Sequence, residues 1–277
     1  MNSTTKEMGR HIEAVIKALD ILDCFLTRPS LTLKDINGFT HLNRSRIIRL
    51  AGTLTSRGYL IYNSQEKQFH LGPRLLSLGK VFEANNTLLS LGRPFLRELV
   101  QETGELASLY VIDGLERVAL FREKGIHEVS YSVREGQRME LYAGAAGKVL
   151  LASAPAEIIG KVLSKRFLKR LTRKTIVDPN VLAQELEVIR RKGYATSEGE
   201  RVSDVWSVAA PVFDHDQKVC CAIGITGPLY RISTQTQKKY RDVVMGKARE
   251  LSRLLGNTPS GVEKRNAYQS IKKGVRP

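Results

Sequence analysis

"LNRSRIIRLAGTLTSRGYL", residues 42–60, decides how the first third of the chain is read. At about 100° per residue, Ile47, Leu50, Ala51 and Leu54 gather on one side of a helix, and Ser45, Arg46, Arg49, Thr53 and Ser56 on the other. Asn43 is placed to cap the helix start and Gly58 to stop it. Upstream, "IEAVIKALDILDCFLT" (12–27) repeats Ile12, Val15, Ile16, Leu19, Leu22 and Phe25 at helical spacing. "RPS" then breaks the chain, and Thr32 is placed to cap a short second helix. Downstream, "YLIY" and "QFHL" read as two short strands around the polar turn "NSQEK". Three short helices followed by a hairpin is the order of a winged helix-turn-helix. A major groove about 12 Å wide admits one helix, and arginine there can bond guanine bidentately. Arg44, Ser45, Arg46, Arg49 and Thr53 are therefore expected to face DNA, with Arg46 and Arg49 reading bases and Lys67 of the wing touching the adjacent backbone. Arginines on an isolated helix are usually just solvated. The ordered context favours a polyanion, with docking of the winged helix on another protein as the alternative.

The charge agrees. The 277 residues carry a formal net charge of +16, and the first 80 hold 12 Lys/Arg against 6 Asp/Glu. Residues 257–277 hold 5 against 1 and read as an unstructured basic tail; residues 1–11 read as a flexible N-terminus. Such a balance favours nucleic acid or an anionic membrane surface. No apolar run reaches the roughly 20 residues of a membrane span, and the polar N-terminus has no signal-peptide core, so a cytoplasmic protein is expected. Cys24, Cys220 and Cys221 offer neither a disulfide framework nor a CxxC metal spacing and read as structural thiols.

Residues 73–92 open with Pro73 and read as a linker helix whose apolar stripe is either core or a dimer contact, with Gly79 and Asn85-Asn86 weakening any single continuous helix; residues 12–72 precede it as the winged domain. Two-fold symmetry would set two recognition helices on successive turns of DNA. From Arg93 to Gly256 helices and strands mix. "FLRELVQETG" is an amphipathic helix, and two strand runs flank Asp113-Gly114. "EVSYSVREGQRMELYA" adds strand, "GAAGKVLLASAP" is a helix, and residues 156–171 and 181–192 are helical. "GYATSEGE", "DVWSVAAPVFD" and "KVCCAIGITG" are strands, and residues 233–255 form a closing helix. The expected class is α+β, with a largely antiparallel sheet.

The runs "LGPRLLSLG", "TGELASL", "AGAAGKVLLA", "RRKGYATSEGE", "SVAAPVFD" and "AIGITGP", in that order behind a winged helix, resemble the IclR family of bacterial transcription regulators over residues 12 to about 256. The resemblance implies a winged helix-turn-helix, a linker helix and a C-terminal GAF-like effector-binding domain. It also implies a homodimer or homotetramer, a double-stranded DNA operator, and a small-molecule effector that is often an organic acid or aromatic metabolite. The family's pocket positions fall on Ala145, Ala146, Ser197, Ser207, Gly224 and Thr226. This chain departs from the family pattern at several points. His41 stands where a glycine is usual before the recognition helix, and Asn43-Arg44-Ser45-Arg46 replaces Pro-Lys-Ser-Thr. A common acidic residue is absent at Ser197 and a frequent cysteine at Ser207.

A small anion fits the start of the "AAGK" helix, where backbone N–H groups and the helix dipole favour negative charge. Ser197, Ser207 and Thr226 would add hydroxyls, although such residues on strands often satisfy only backbone or water. "AGAAGKV" is not a phosphate loop: Tyr142 and Val149 stand where Walker A needs Gly and Ser or Thr. HExxH and GxSxG are absent, and the five histidines have no ligand spacing, so no metal, no cofactor and no catalysis are expected. An enzyme on the C-terminal domain remains the third class. "KVLSKRFLKRLTRK" (161–174) carries seven basic residues and no acid. It reads as the basic face of an amphipathic helix, or else as a second contact for nucleic acid or membrane.

Overall fold

The computed structural model describes residues 11–127 and 133–257. The chain divides into two compact units between Asn86 and Thr87. The expected flexible N-terminus and basic tail fall almost wholly outside the described residues, as does the beginning of "EVSYSVREGQRMELYA".

The first unit holds α1 (Glu13–Asp23), β1 (Ser30–Thr32), α2 (Leu33–Thr40), α3 (Arg44–Ser56), β2 (Leu60–Asn63), β3 (Gln68–Leu71) and α4 (Pro73–Asn85). Its core is small: Ile21, Phe25, Leu31, Ile36, Ile47, Ala51, Leu60 and Phe69 close around the three helices. Local chemistry sets the helix starts. Thr32 and Asp35 form a reciprocal capping box, and Asn43 Oδ1 accepts the Arg46 amide at 2.9 Å. Strand β1 lies antiparallel to β3, so the wing is a three-stranded sheet ordered β1-β3-β2 rather than a bare hairpin.

The second unit holds α5 (Thr87–Thr103), β4 (Leu106–Asp113), β5 (Glu116–Glu123), β6 (Arg138–Glu140), α6 (Ala145–Ala152), α7 (Ala156–Val162), α8 (Pro179–Lys192), β7 (Ala195–Glu198), β8 (Val205–Phe213), β9 (Val219–Pro228) and α9 (Thr234–Leu254). Its antiparallel sheet runs β6-β5-β4-β9-β8-β7. One face packs against α5 and α9 through Leu96, Leu99, Trp206, Ile223 and Leu251. The other packs against α6 and α8 through Leu106, Leu150, Leu186, Ala209 and Ala222. Helices thus cover both faces, which is why the central strands β4 and β9 are buried nearly throughout.

Two expectations are corrected. The linker region 73–92 is not one helix: α4 ends at Asn85, Asn86 is extended, and α5 starts at Thr87 and runs on to Thr103. The helix expected over 156–171 ends at Val162, and the basic segment beyond it forms turns.

His41 closes α2 in the left-handed region, at φ 55°. A residue with a Cβ is strained there, which is the physical reason for glycine at this turn. His41→Gly should stabilise the protein by about 0.5–1 kcal/mol, read as a higher midpoint in chemical unfolding; a lower midpoint would mean that the histidine ring makes a contact that outweighs the strain.

Candidate nucleic-acid interface and ligand cavity

Helix α3 buries Ile47 and Ala51 and leaves Arg44, Ser45, Arg49, Gly52, Thr53 and Ser56 exposed. Arg49 stands near the middle of this strip, with Arg46 about 60° to one side; Arg44 lies about 140° round the helix and is exposed at its first position. Arg46 differs from the others: its Nη2 donates to Glu13 Oε1 of α1 at 2.9 Å, so it is tied back to its own unit. Arg44 and Arg49 have no ion pair among the described residues. The Thr53 hydroxyl donates to the Arg49 carbonyl at 2.9 Å. Lys67 is exposed at the wing turn, in the left-handed region at φ 52°.

In the second unit, Ala145, Ala146, Ser197, Ser207, Gly224 and Thr226 line one cavity of about 40 Å³ between the sheet and the start of α6. Strand register explains the convergence. Ser197 is opposite Ser207, and Ser207 is opposite Thr226, so three hydroxyl residues form a row across β7, β8 and β9. Ser197 is 5% exposed, and its hydroxyl makes no hydrogen bond among the described residues. At Gly224 a Cβ would stand 2.4 Å from the Val208 carbonyl oxygen, so only glycine lets the strands keep this register. The Ala145 amide, at the α6 start, donates weakly to Ser207 Oγ at 3.4 Å.

Charged groups the sequence reading did not place complete the cavity. Arg117, 5% exposed, projects from β5; its Nη1 donates to the carbonyls of Glu140 at 2.7 Å and Ala143 at 2.6 Å, and its guanidinium lies over the Tyr110 ring at 5.4 Å. It fits against α6 because residues 144 and 147 are glycines; a Cβ on Gly147 would fall 2.1 Å from Nη1. Arg201 lines the same cavity and donates to Glu140 Oε2 at 2.9 Å. One sign of Arg117 was legible: it alternates with Ala119 on β5, an inward position for a charge in a strand.

Lys148, 2% exposed, lies one turn into α6. Its ammonium meets Glu200 Oε1 at 2.5 Å and Glu185 Oε1 at 3.1 Å. The other Glu200 oxygen accepts the Gly144 amide at 3.1 Å, satisfying one donor at the helix start. The described residues hold no cluster of His, Cys, Asp and Glu suited to a metal ion.

This arrangement can be set beside known proteins. Residues 14–64 match the model of the IclR helix-turn-helix domain, and residues 84–253 that of the bacterial transcriptional regulator IclR C-terminal domain. The chain belongs to the IclR family. It is 34% identical to the HTH-type transcriptional regulator BhcR of Paracoccus denitrificans, over 87% of this chain and 86% of that one. It is 32% identical to the HTH-type transcriptional repressor AllR of Klebsiella pneumoniae, over 83% of this chain and 85% of that one. Among solved structures, the IclR of Thermotoga maritima superposes with a TM-score of 0.72 at 28% identity, covering 89% of this chain and all of that one. An IclR homolog from Microbacterium hydrocarbonoxydans, complexed with 4-hydroxybenzoate, superposes with a TM-score of 0.74 at 25% identity, covering 87% of this chain and all of that one. The family is one of transcription regulators, which removes the enzyme reading, and its helix-turn-helix makes DNA the partner. No described helix is long and apolar enough to cross a membrane.

The buried pair is testable. Removing one partner leaves the other charge uncompensated, so Lys148→Met should destabilise the protein by about 3 kcal/mol in urea unfolding. Adding Glu200→Gln to that variant should recover part of the loss; equal stability of Lys148→Met and wild type would show that the pair does not hold α6.

Proposed function

We propose that this IclR-family regulator binds a double-stranded operator through the exposed strip of α3, as a homodimer or a tetramer built from dimers, and that a small organic acid in the α6 cavity sets its operator affinity. The observation that carries the effector reading is the meeting of Ala145, Ala146, Ser197, Ser207, Gly224 and Thr226 with two arginines at one helix start. Helix dipole, amide donors and guanidinium groups all favour a carboxylate there. The volume sets the size. About 40 Å³ admits a few waters and falls far short of the roughly 300 Å³ of an ordinary small-molecule pocket. A short-chain acid of a few carbons therefore fits with least rearrangement, whereas a ring such as the 4-hydroxybenzoate of the Microbacterium homolog needs Arg117 or Met139 to move. Action on DNA supports the cytoplasm as its place of work.

The dimer reading rests on apolar side chains left outside. Leu76, Leu78, Val81 and Phe82 of α4 are exposed, as are Ile12, Val15 and Leu19 at α1. A second copy supplies the cover these stripes lack, and sedimentation at the mass of a single chain would exclude it.

Arg49 has the central place on the strip, so Arg49→Ala should weaken operator binding by about 1–3 kcal/mol and relax specificity at one base pair. Lys67→Ala should instead weaken all sequences alike and flatten the salt dependence by about one unit of slope. Anisotropy titrations on operator and scrambled duplexes at several salt concentrations separate these outcomes, and an Arg49→Ala protein that binds as wild type would remove α3 from the interface. Thermal unfolding against a panel of two- to six-carbon and aromatic acids tests the effector. A ligand at 100 times its dissociation constant adds about 2.7 kcal/mol. Loss of that shift in Ser207→Val is expected, and a shift that survives it places the ligand elsewhere.

A further inference from the structure

The basic segment 161–174 is used neither by the helix-turn-helix nor by the α6 cavity. Beyond α7 it folds as a turn-rich loop that is fixed along its length. The Lys169 carbonyl accepts the Tyr142 hydroxyl at 3.0 Å, and the same hydroxyl accepts the Lys169 amide at 3.2 Å. Farther on, Thr172 Oγ1 donates to the Gly199 carbonyl at 2.6 Å and Thr175 Oγ1 to the Glu200 carbonyl at 2.7 Å. A loop held in this way forms a wall, and behind it opens a cavity of about 570 Å³, within the range of ordinary small-molecule sites.

The cavity joins an apolar floor to a charged rim. Val162, Leu115, Leu171 and the rings of Tyr142 and Phe167 supply the floor, yet Phe167 is 41% exposed although its loop is pinned. Every acid on the rim already meets an arginine. Asp113 and Glu116 hold Arg138 at 2.6 and 2.8 Å, and Glu140 holds Arg201 at 2.9 Å. Arg166 and Lys169, on the same rim, have no ion pair among the described residues. Burial, reinforced by the Glu140 carboxylate, holds the Tyr142 phenol above its ordinary pKa and keeps the loop anchor protonated.

We propose that this cavity is a second small-molecule site, separate from the one at α6, for an organic anion with an apolar body, its carboxylate or phosphate held by Arg166 and Lys169 and its ring or chain resting on Phe167, Leu171 and Leu115. Two cations beside exposed apolar surface favour such a ligand on both counts, since the anion gains charge-assisted hydrogen bonds while its body and Phe167 and Leu171 leave water together. A purely inorganic anion would leave the floor uncovered.

Calorimetric titration of the full chain with 2-naphthoate and with octanoate tests this. Wild type should show a binding event that Arg166→Ala/Lys169→Ala weakens by about tenfold or more. Lys165→Ala/Arg173→Ala, an equal change of net charge on the same loop but off the cavity, should leave it intact, as should Ala146→Leu, which fills the α6 cavity. Neutral 2-naphthamide should bind at least tenfold more weakly than the acid. The proposal is overturned if neither probe binds, if Ala146→Leu removes the event, if both charge pairs weaken it equally, or if the amide binds as well as the acid. It is likewise overturned if Phe167→Asp lowers the assembly state in sedimentation, which would make the cavity part of a contact between copies of the chain.

Discussion

One buried carboxylate holds the second unit's working parts in register. Glu200 accepts the Gly144 amide with one oxygen and the Lys148 ammonium with the other, and its backbone carbonyl accepts Thr175. The strand end after β7, the first turn of α6 and the basic loop are therefore fixed to a single residue. Two charges out of water lose several kcal/mol of solvation each, and their attraction offsets this only when the remaining donors and acceptors are also used. Here they are: Lys148 has a second acid in Glu185, and Glu200 has the amide. The pair is better explained by the position it enforces than by net stability. Hydrophobic residues of similar volume could fill the space, but they would leave the Gly144 amide without that acceptor and free the helix start to shift.

Much of the fold was legible because local chemistry set it. The caps at Thr32 and Asn43 and the stop near Gly58 are one-residue signals that act within a turn, and they fixed α2 and α3 almost to the residue. The strands of the second unit alternate or run apolar in ways that distance along the chain cannot hide. Other features needed the third dimension. Strand β1 is three residues long, too short for a period, and exists because β3 offers it a partner. Residues 163–171 carry apolar side chains at helical spacing, yet Thr172 and Thr175 spend their hydrogen bonds on the turn at Gly199 and Glu200, and that tertiary contact overrides the local pattern. Arg46 reads as a free arginine until α1 brings Glu13 across to it.

The candidate cavity divides in the same way. Its six small and hydroxyl residues were placed only through the family resemblance, since nothing in their spacing says that residues 145, 197, 207 and 226 meet. The register Ser197–Ser207–Thr226 supplies the reason, a row across three strands that an isolated sequence does not display. Arg117 was missed because its short hydrogen bonds to Glu140 and Ala143 go to backbone carbonyls, which carry no side-chain signature. The glycines that admit it, 144 and 147, lie in the run read simply as a helix, and they are also the space into which a guanidinium fits.

Glu140 stands between the two cavities. Its carbonyl accepts Arg117 and its carboxylate accepts Arg201, both of which line the α6 cavity, while Glu140 itself lines the cavity behind the basic loop. If an acid binds at α6 as proposed and draws Arg201 toward it, the Arg201 bond to the Glu140 carboxylate would weaken. A less restrained Glu140 carboxylate would then be open to Arg166 or Lys169, the cations proposed to hold the outer anion. The two proposed anions would thus compete, through one glutamate, for the same balance of charge. Coupling of this kind is reciprocal by thermodynamic necessity: if the inner ligand lowers affinity at the outer site by some factor, the outer ligand lowers affinity at the inner site by the same factor. On the charges alone, the coupling expected between the two proposed sites is antagonistic.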